Sequence, residues 1–461
     1  MDVLEALPRE LRGRKHEVGI AIPYYREIRQ DPEVQAKDTG VTVDISVGPK
    51  KYVAEYLEGR TAGGVQIFFV RCDEFFDRPG IYGEHGSAYE DNAARFIFFS
   101  KAALELARRM SPAPQILHVH DWAAALVPVL VKNRRLPFGT VLTIHHLSEQ
   151  GSFWGLDFEL TNLPARYFKP GGVEFFGRLN LLKSGILFAD KITTVSERYR
   201  REMLTDEGGF GLAGVLREHA NRLVPILNGA DYRRWNPETD LLLPRQFGLE
   251  NLEGKTVCRR QLLDALRLAS LPEGPVFGMV TRLVSEKGFD LLIPLLDRLL
   301  SGDARLIILG EGDPQYETAL AIAARKYPTK FVYRRTYDET LAHLIEAGAD
   351  ITLIPSRVEP GGLSAMYSLK YGALPVARAT GGIQEIVEAY DPTLDQGYGF
   401  LCYENKPDAF WDAIKFAREI FQDRSLWEIL MRRAMSRDFS WETVAEQYEA
   451  LYAQLELARA A

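Results

Sequence analysis

Short apolar runs alternate with helix-like patterns along the whole chain. The runs are rich in Val, Ile and Leu, which is typical of strands buried in a parallel sheet. The stretches between them, such as residues 290–300 and 316–326, place apolar residues at helical spacing. This alternation predicts an α/β fold class, with parallel sheets covered by helices on both faces.

The predicted strands fall into two series. In the first half of the chain we predict strands at residues 17–23, 41–47, 65–70, 116–119, 140–144, 192–195 and 223–227. In the second half we predict strands at residues 276–280, 305–309, 331–333, 351–354, 374–377 and 399–402. A helix with apolar residues at positions 3, 4, 7 and 11 precedes the first strand.

A polar segment with little periodicity, residues 228–248, separates the two series. We therefore place a domain boundary within residues 231–254 and predict two open α/β domains, residues 1–235 and 255–440. We expect them to face each other across a cleft. In such domains ligand groups gather at the carboxyl ends of the strands.

Composition and charge exclude several classes of function. The chain has 461 residues and a net charge of −7, which gives no reason to expect binding to nucleic acid or to an anionic membrane. Three scattered cysteines do not form a zinc motif or a disulfide framework, so we expect a reducing, cytoplasmic location. No apolar run is long enough to span a membrane, and the first residues do not resemble a signal peptide.

Two motifs of the first half place polar side chains at strand ends. "ILHVHDW" ends at Asp121 and Trp122, and "LTIHHLSEQG" carries His145 and His146 after a strand. Four histidines and an aspartate suggest a metal site, but their spacing does not fix three ligands on one element. We interpret His118 and His146 as packed polar residues with one hydrogen bond each. We expect Asp121 and His145 to bind sugar or act in catalysis.

Two cations follow the first strand of the second half. Arg282 and Lys287 lie in "TRLVSEKG", where Gly288 allows a close approach by a ligand. Such a pair suits an anionic phosphate group. A solvated surface pair neutralised by Glu286 and Asp290 explains these residues equally well.

The motif "PSRVEPGGLSAMYS" favours the phosphate interpretation. Glu359 precedes Gly361 and Gly362, and a helix is predicted from Leu363. The free N–H groups and the positive dipole end of such a helix attract phosphate. Glu359 stands beside this anion site and is better suited to accept hydrogen bonds from hydroxyl groups. A second Gly-Gly turn in "ATGGIQEIVE" is explained equally well as an ordinary turn between a strand and a helix.

Together these motifs resemble the bacterial glycogen synthases and plant starch synthases, which transfer glucose from ADP-glucose to an α-1,4-glucan. The resemblance extends nearly from end to end and rests on an ordered set of motifs: "HVHDW", "TIHHLSEQG", "PILNGAD", "TRLVSEKG" and "EPGGLSAMYSLKYG". It implies the GT-B fold, with two Rossmann-like domains and a final helix, residues 441–461, that crosses back to the first domain. It also implies transfer with retention of anomeric configuration. The partners would be ADP-glucose and the glucan, without a further cofactor or a metal.

The resemblance implies roles for five catalytic residues. Arg282 and Lys287 would hold the diphosphate of the donor, and Glu359 would contact the transferred glucose. His145 would contact the region of the sugar's 6-hydroxyl group, and Asp121 would line the acceptor side.

The resemblance also implies residues that bind substrate. Asn228 would bind the glucose, and Tyr337 in "RTYDET" would lie against the adenine. The phosphate and sugar would be held by the start of the helix in the "EPGGLS" motif, through Gly361, Gly362, Leu363 and Ser364.

The sequence departs from the family's pattern at several positions. The family has "EPCGLTQ", whereas this chain has Gly361 and Ala365 in place of the Cys and Gln. The family's "QKG" is "EKG" here, and its "HNxxYQG" is "HHLSEQG". These changes leave the choice between ADP and UDP donors open. The family also has a strand and a Lys-x-Gly-Gly loop ahead of the first helix, and the sequence has neither. We therefore expect a gap in the first sheet bordered by residues 18–22 and 116–119.

Two alternatives remain at this stage. One is a GT-B glycosyltransferase that uses another nucleotide sugar or another acceptor, which the same cations and Glu359 would serve. The other is a non-catalytic glucan-binding homologue, which the absent Lys-x-Gly-Gly loop favours and the intact cation pair opposes. The sequence does not indicate the oligomeric state.

Overall fold

The computed structural model describes residues 2–84, 86–271 and 273–460. The chain divides into two units: the first contains Met1–Val195, Arg200–Leu227 and Trp441–Ala461, and the second contains Ser196–Tyr199 and Asn228–Ser440. The division lies between Leu227 and Asn228, ahead of the end that we predicted for the first domain. Residues 228–235 therefore belong to the second unit.

The described residues form an alternating series of strands and helices. The strands are β1 (Gly19–Pro23), β2 (Lys37–Val47), β3 (Lys50–Arg60), β4 (Gln66–Arg71), β5 (Gly83–Glu84), β6 (Ser87–Ala88), β7 (Ile116–His120), β8 (Gly139–Ile144), β9 (Ser152–Phe153), β10 (Glu174–Phe175), β11 (Arg178–Asn180), β12 (Lys191–Thr194), β13 (Leu223–Pro225), β14 (Val276–Val280), β15 (Arg305–Leu309), β16 (Phe331–Arg334), β17 (Ile351–Ile354), β18 (Leu374–Arg378) and β19 (Phe400–Cys402).

The α-helices are α1 (Asp2–Gly13), α2 (Arg26–Gln30), α3 (Asp73–Phe76), α4 (Asn92–Arg109), α5 (Asp121–Ala124), α6 (Val127–Arg134), α7 (Leu181–Phe188), α8 (Glu197–Met203), α9 (Ala213–Glu218), α10 (Glu253–Ala265), α11 (Phe289–Leu292), α12 (Leu296–Leu300), α13 (Pro314–Lys326), α14 (Glu339–Gly348), α15 (Leu363–Lys370), α16 (Ile383–Ile386), α17 (Pro407–Phe421), α18 (Arg424–Met435) and α19 (Trp441–Ala460). Short 3-10 helices lie at Gly155–Thr161, Ala165–Tyr167, Ala220–Arg222, Ser285–Lys287 and Ile293–Leu295. Within the described ranges, no helix has the length and apolar character needed to cross a membrane.

Each predicted strand is present, with ends shifted by a few residues, but the two- and three-residue strands β5, β6 and β9–β11 and the long strand β3 were not predicted. This strand pairs with β2 and with β4 in antiparallel register, so this part of the chain is not the parallel sheet that we expected. The two buried residues of β3, Ala54 and Tyr56, are separated by the half-buried Glu55, and charged residues occupy both ends of the strand. Such a strand lacks the continuous apolar run that marks a buried parallel strand.

The first unit contains two four-stranded sheets, and their edge strands include the two that we expected to border a gap. One has the order β1-β4-β3-β2 and the other has the order β13-β12-β8-β7. The strands expected to border the gap, β1 and β7, are each the edge strand of their own sheet and, in the described residues, do not pair with each other. Parallel pairing of β7 with β8 brings the carboxyl ends of these two strands to one edge.

The first and last helices pack together in the first unit. Apolar residues of α1, including Leu7 and Leu11, lie in a buried cluster with Tyr448 and Leu451 of α19. The helical face predicted for the start of the chain is therefore buried. At the edge of this contact Arg14 donates a 3.0 Å hydrogen bond to a carboxylate oxygen of α19.

The second unit is built on one parallel sheet. Its order is β16-β15-β14-β17-β18-β19, so the strand order reverses between β14 and β17. Both of these central strands consist mainly of buried residues. In open α/β sheets ligands bind at the carboxyl ends of the strands at such a reversal point. The loops after β14 and β17 carry the two motifs that the sequence analysis assigned to phosphate.

Candidate active site

Asp121 fixes the loop that carries His145. Asp121 follows β7 and His145 follows β8, so the parallel pairing of these strands brings the two residues together. The Oδ1 atom of Asp121 accepts hydrogen bonds from the backbone N–H groups of His145 at 2.8 Å and His146 at 3.4 Å. Asp121 itself has a positive φ of 52°, a conformation that Asp adopts more readily than most residues. No pattern in the sequence indicated this positioning role.

The histidines of the two strands form a hydrogen-bonded row. His118 contacts Tyr452 Oη through Nδ1 at 2.7 Å and Thr143 Oγ1 through Nε2 at 2.6 Å. His120 Nδ1 lies 3.0 Å from His145 Nε2, and the two rings are stacked. His118 is therefore a packed polar residue, as expected, but it makes two hydrogen bonds instead of one.

Burial disfavours the charged form of these histidines. Burial lowers the pKa of His118 to about 3 and holds the pKa of His120 well below its ordinary value. Burial also lowers the pKa of His145, against the opposing charge of Asp121. A neutral imidazole at position 145 offers a hydrogen bond to a hydroxyl group without a charge. Among the described residues no group of three or more His, Cys, Asp or Glu side chains is arranged to hold a metal ion.

In the second unit Glu359 is held by a cation and a hydroxyl group. Lys287 Nζ lies 2.7 Å from Glu359 Oε2, and Ser356 Oγ donates to the same oxygen at 2.9 Å. Gly288, next to the lysine, has a φ of +72°, and a Cβ there would lie 2.0 Å from the carbonyl oxygen of Pro355. Only glycine therefore fits where the loop after β14 passes the loop after β17.

The start of α15 is free to bind an anion. Gly362 has a φ of +67°, and a Cβ on it would lie 2.5 Å from Ile386 Cδ1. In the described part of the chain, the backbone N–H groups of Gly361, Gly362, Leu363 and Ser364 donate to no other residue. Because the first N–H groups of a helix lack acceptors within it, this turn can bind phosphate oxygens.

The second Gly-Gly turn, at Gly381 and Gly382, packs against the backbone next to the first, at Gly361 and Gly362. Gly382 N donates to the carbonyl oxygen of Glu359 at 3.0 Å. Gly381 has a φ of +48°, and a Cβ there would lie 2.2 Å from the same carbonyl oxygen. This turn packs on the backbone of the "EPGG" motif, which is a structural role.

Three further predicted site residues, Arg282, Tyr337 and Asn228, take no part in the contacts described above. Arg282 is exposed, and its guanidinium group makes no hydrogen bond or ion pair with another residue in the described ranges. Tyr337 is an exposed residue of the segment that follows β16. Asn228 is buried, and its Oδ1 atom has no hydrogen-bond partner among the described residues. The exposed guanidinium group of Arg282 and the unsatisfied amide oxygen of Asn228 are each available to a ligand.

Glu346 is a further site residue that the sequence analysis missed. Its side chain is buried on α14 and lines a small cavity with Ser356, Glu359 and Ser364. Its Oε2 atom has no hydrogen-bond partner in the described structure, and burial raises its pKa to about 8. The available signal was one acidic residue within the apolar stretch "LAHLIEAGA".

Comparison with known proteins identifies the family of the chain. The family profile described as starch synthase catalytic domain matches residues 2–218, and the profile described as glycosyl transferases group 1 matches residues 267–426. The glycogen synthase of Koribacter versatilis is 39% identical over 468 residues, covering 100% of this chain and 95% of that protein. The glycogen synthase of Anaeromyxobacter dehalogenans is 42% identical over 462 residues, covering 98% and 95%.

Solved structures give the same result. The catalytic domain of starch synthase IV from Arabidopsis thaliana, bound to ADP and acarbose, matches with a TM-score of 0.91 at 32% identity, covering 98% of this chain and 95% of that one. A sucrose-phosphate synthase from Thermosynechococcus elongatus, at 17% identity and a TM-score of 0.63, shares the fold alone. The predicted α/β fold of the GT-B class is confirmed. The chain belongs to the glycogen synthase and starch synthase family of glycosyltransferases.

Proposed function

We propose that this chain transfers glucose from ADP-glucose to the non-reducing end of an α-1,4-glucan with retention of anomeric configuration. The contact between Lys287 and Glu359 beside the open start of α15 carries this proposal. The positive charge of Lys287 would attract a diphosphate, and the carboxylate of Glu359 would accept hydrogen bonds from sugar hydroxyl groups. The similar starch synthase IV domain, which was solved with ADP and acarbose, supports it.

The second unit binds the donor. Arg282 and Lys287 attract the diphosphate, and the N–H groups at the start of α15 donate hydrogen bonds to its oxygens. Glu359 accepts hydrogen bonds from the glucose hydroxyl groups, and Asn228 contacts the same sugar. The exposed ring of Tyr337 stacks on the adenine.

The first unit supplies the acceptor side. His145 contacts the sugar near its 6-hydroxyl group, and burial, which lowers the pKa of this ring, favours its neutral form. Asp121 holds the loop of His145 and lines the acceptor region. We assign these residues to positioning and hydrogen bonding because neither offers a positive charge to the leaving group.

The catalytic effect is electrostatic. As the bond between the glucose and the diphosphate breaks, negative charge develops on the departing ADP and positive charge develops on the sugar. Preorganised cations and N–H groups stabilise the leaving group. The hydroxyl group of the glucan attacks the anomeric carbon from the face on which the ADP departs. The leaving phosphate accepts the proton of that hydroxyl group. We expect activity to survive EDTA, because residues of the chain supply the positive charge.

Initial rates with two donors test the proposal. The purified chain is incubated with glycogen and either ADP-glucose or UDP-glucose, and the released nucleotide is measured. We expect ADP-glucose to be used at least about tenfold more efficiently, a difference of about 1.4 kcal/mol. Digestion of the product by an enzyme specific for α-1,4 bonds tests retention. A preference for UDP-glucose, or a product resistant to that enzyme, would contradict the proposal.

A further inference from the structure

Phe176 occupies a turn position that the fold alone does not favour. Strands β10 and β11 pair Phe175 with Arg178, so Phe176 and Gly177 form a two-residue hairpin loop. Their φ angles are +49° and +75°, which is the pattern of a type I′ turn. Such turns favour Asn-Gly, and a bulky side chain at positive φ is strained. The Phe176 side chain is also 84% exposed. A strained residue of this kind motivates a hypothesis of function.

A second exposed ring lies beside this turn. Trp154 follows β9, which pairs with β11, and the tryptophan is 66% exposed. A Cβ on Gly155 would lie 2.4 Å from the carbonyl oxygen of Gly177, so the segment after β9 touches the hairpin loop. The structure therefore places Trp154 and Phe176 on adjoining turns of one three-stranded sheet.

The charged side chains Glu174, Asp157 and Arg178 form hydrogen bonds with residues of these turns and of β9. Glu174 accepts a 2.6 Å hydrogen bond from Gly177 N, and Asp157 accepts a 3.1 Å hydrogen bond from Trp154 N. Arg178 donates to the hydroxyl and carbonyl oxygens of Ser152. The turns thus present aromatic faces while their charges point back to the protein. This chemistry fits a neutral ligand with apolar faces and hydroxyl edges, which describes the glucose units of a glucan.

Aromatic contacts connect this surface to the acceptor residues. Trp122 directly follows Asp121, and its ring lies 5.8 Å from that of Phe153, the residue before Trp154. The half-exposed ring of Tyr82 lies 5.4 Å from Trp122 on the same unit. These contacts link the residue after Asp121 to the strand that precedes Trp154.

We propose that Trp154 and Phe176 form an aromatic platform on which an internal part of the α-1,4-glucan acceptor stacks. This inference rests on the proposed function, because the glucan is the acceptor named there. The platform binds long chains and leaves the reaction at the chain end unchanged. It adds affinity for polymeric acceptors but not for short ones that end before the platform.

Acceptors of two lengths test the platform. Initial rates are measured with maltotriose and with glycogen for the parent chain and for Trp154→Leu and Phe176→Asn. We expect the KM for glycogen to rise about tenfold in the double variant, the size expected for the loss of one or two aromatic contacts. The kinetic constants for maltotriose stay within about twofold, a difference of only about 0.4 kcal/mol. Trp154→Phe keeps the glycogen KM close to that of the parent.

Phe176→Asn separates binding from folding. Asparagine suits a type I′ turn, so this variant raises the thermal unfolding midpoint while it weakens glycogen binding. Tyr403→Ala is the matched control, because Tyr403 is a 67% exposed aromatic residue of the second unit. It leaves both KM values unchanged. An unchanged glycogen KM in the double variant, or an equal rise for both acceptors, would overturn the platform.

Retardation of the chain in a native gel containing glycogen is measured alongside. Retardation that depends on Trp154 and Phe176 supports the platform even if the chain transfers no glucose, so failure of the proposed function is seen separately. Sedimentation of the parent chain and the double variant tests self-association. A dimer that dissociates in the double variant would assign this surface to a second copy of the chain and overturn the platform.

Discussion

Lys287 Nζ and Glu359 Oε2 lie 2.7 Å apart. The hydroxyl group of Ser356 donates to the same oxygen, and in the described residues Glu359 Oε1 accepts no hydrogen bond. One carboxylate oxygen is thus fixed by the protein, and the other is available to a sugar hydroxyl group. The contact joins the loops that follow β14 and β17, so it links the predicted phosphate site to the predicted sugar site.

The first prediction concerns this pair. Lys287→Ala and Glu359→Ala each lower kcat by roughly a hundredfold or more, because each removes a preorganised charged group. The fold-decrease in kcat of the double variant is smaller than the product of the two single fold-decreases, because the two residues share one interaction. Rates with ADP-glucose and glycogen measure the effect. Lys326→Ala is the control, because this exposed lysine pairs with Asp297 on the surface. Near-normal turnover in both single variants would refute the assignment.

The second prediction concerns the start of α15. Gly362→Ala forces a Cβ against Ile386 and strains a backbone with a φ of +67°. The displaced N–H groups bind phosphate less well, so we expect the KM for the donor to rise about tenfold or more. Gly214→Ala is the matched control, since nothing lies within 4 Å of a Cβ at that position. An unchanged donor KM in Gly362→Ala would show that the turn does not bind the donor.

The third prediction separates the charge of Asp121 from its hydrogen bonds. Asp121→Asn keeps an oxygen for the N–H groups of His145 and His146 and tolerates the positive φ. Asp121→Ala loses both properties, and we expect it to lower the free energy of unfolding by about 1–3 kcal/mol. Denaturant titration measures the difference. Equal stability of the two variants would contradict a positioning role.

The fourth prediction concerns pH and the buried Glu346. Its folded-state pKa of about 8 lies above the ordinary value of 4.5, so the folded chain holds this proton more tightly than the unfolded chain. The stability linked to this proton is complete below pH 4.5 and is lost as the pH rises to about 8, by at most about 1.4 kcal/mol per pH unit. The neighbouring Lys255, whose pKa burial lowers to about 8, is protonated in both states through most of this interval.

Glu346→Gln removes this proton equilibrium. We expect the thermal unfolding midpoint of the parent chain to fall between pH 5 and pH 8 by more than that of the variant. The exposed Glu250→Gln serves as control and retains the parent profile. Parallel pH profiles for the parent chain and Glu346→Gln would contradict the assignment.

The sequence predicted most of the fold because the signals were local. Strands such as β14 and β17 are continuous apolar runs bounded by turns, and these patterns do not depend on distant contacts. Strand β3 was not predicted because its apolar residues are interrupted by polar ones and form no continuous run. The separation of β1 and β7 into two sheets was expected from the family resemblance alone, because no local pattern specifies long-range strand pairing.

The sequence predicted which residues belong to the candidate site, but it did not predict the contacts between them. Strand ends and glycine turns indicated Lys287 and Glu359, yet the salt bridge between them depends on loops 72 positions apart in sequence. The link from Asp121 to the N–H groups of His145 also joins separate strands. The burial of Glu346 follows from the packing of α14, so its raised pKa could not be inferred from the sequence.

Incorporation of radiolabelled glucose from ADP-glucose into glycogen tests the central claim most directly. The purified chain is compared with Lys287→Ala and with the surface control Lys326→Ala in the presence of EDTA. We predict label in glycogen for the parent chain and for Lys326→Ala, and a loss of roughly a hundredfold or more for Lys287→Ala. Absence of label with the parent chain, or equal incorporation by all three proteins, would contradict the account.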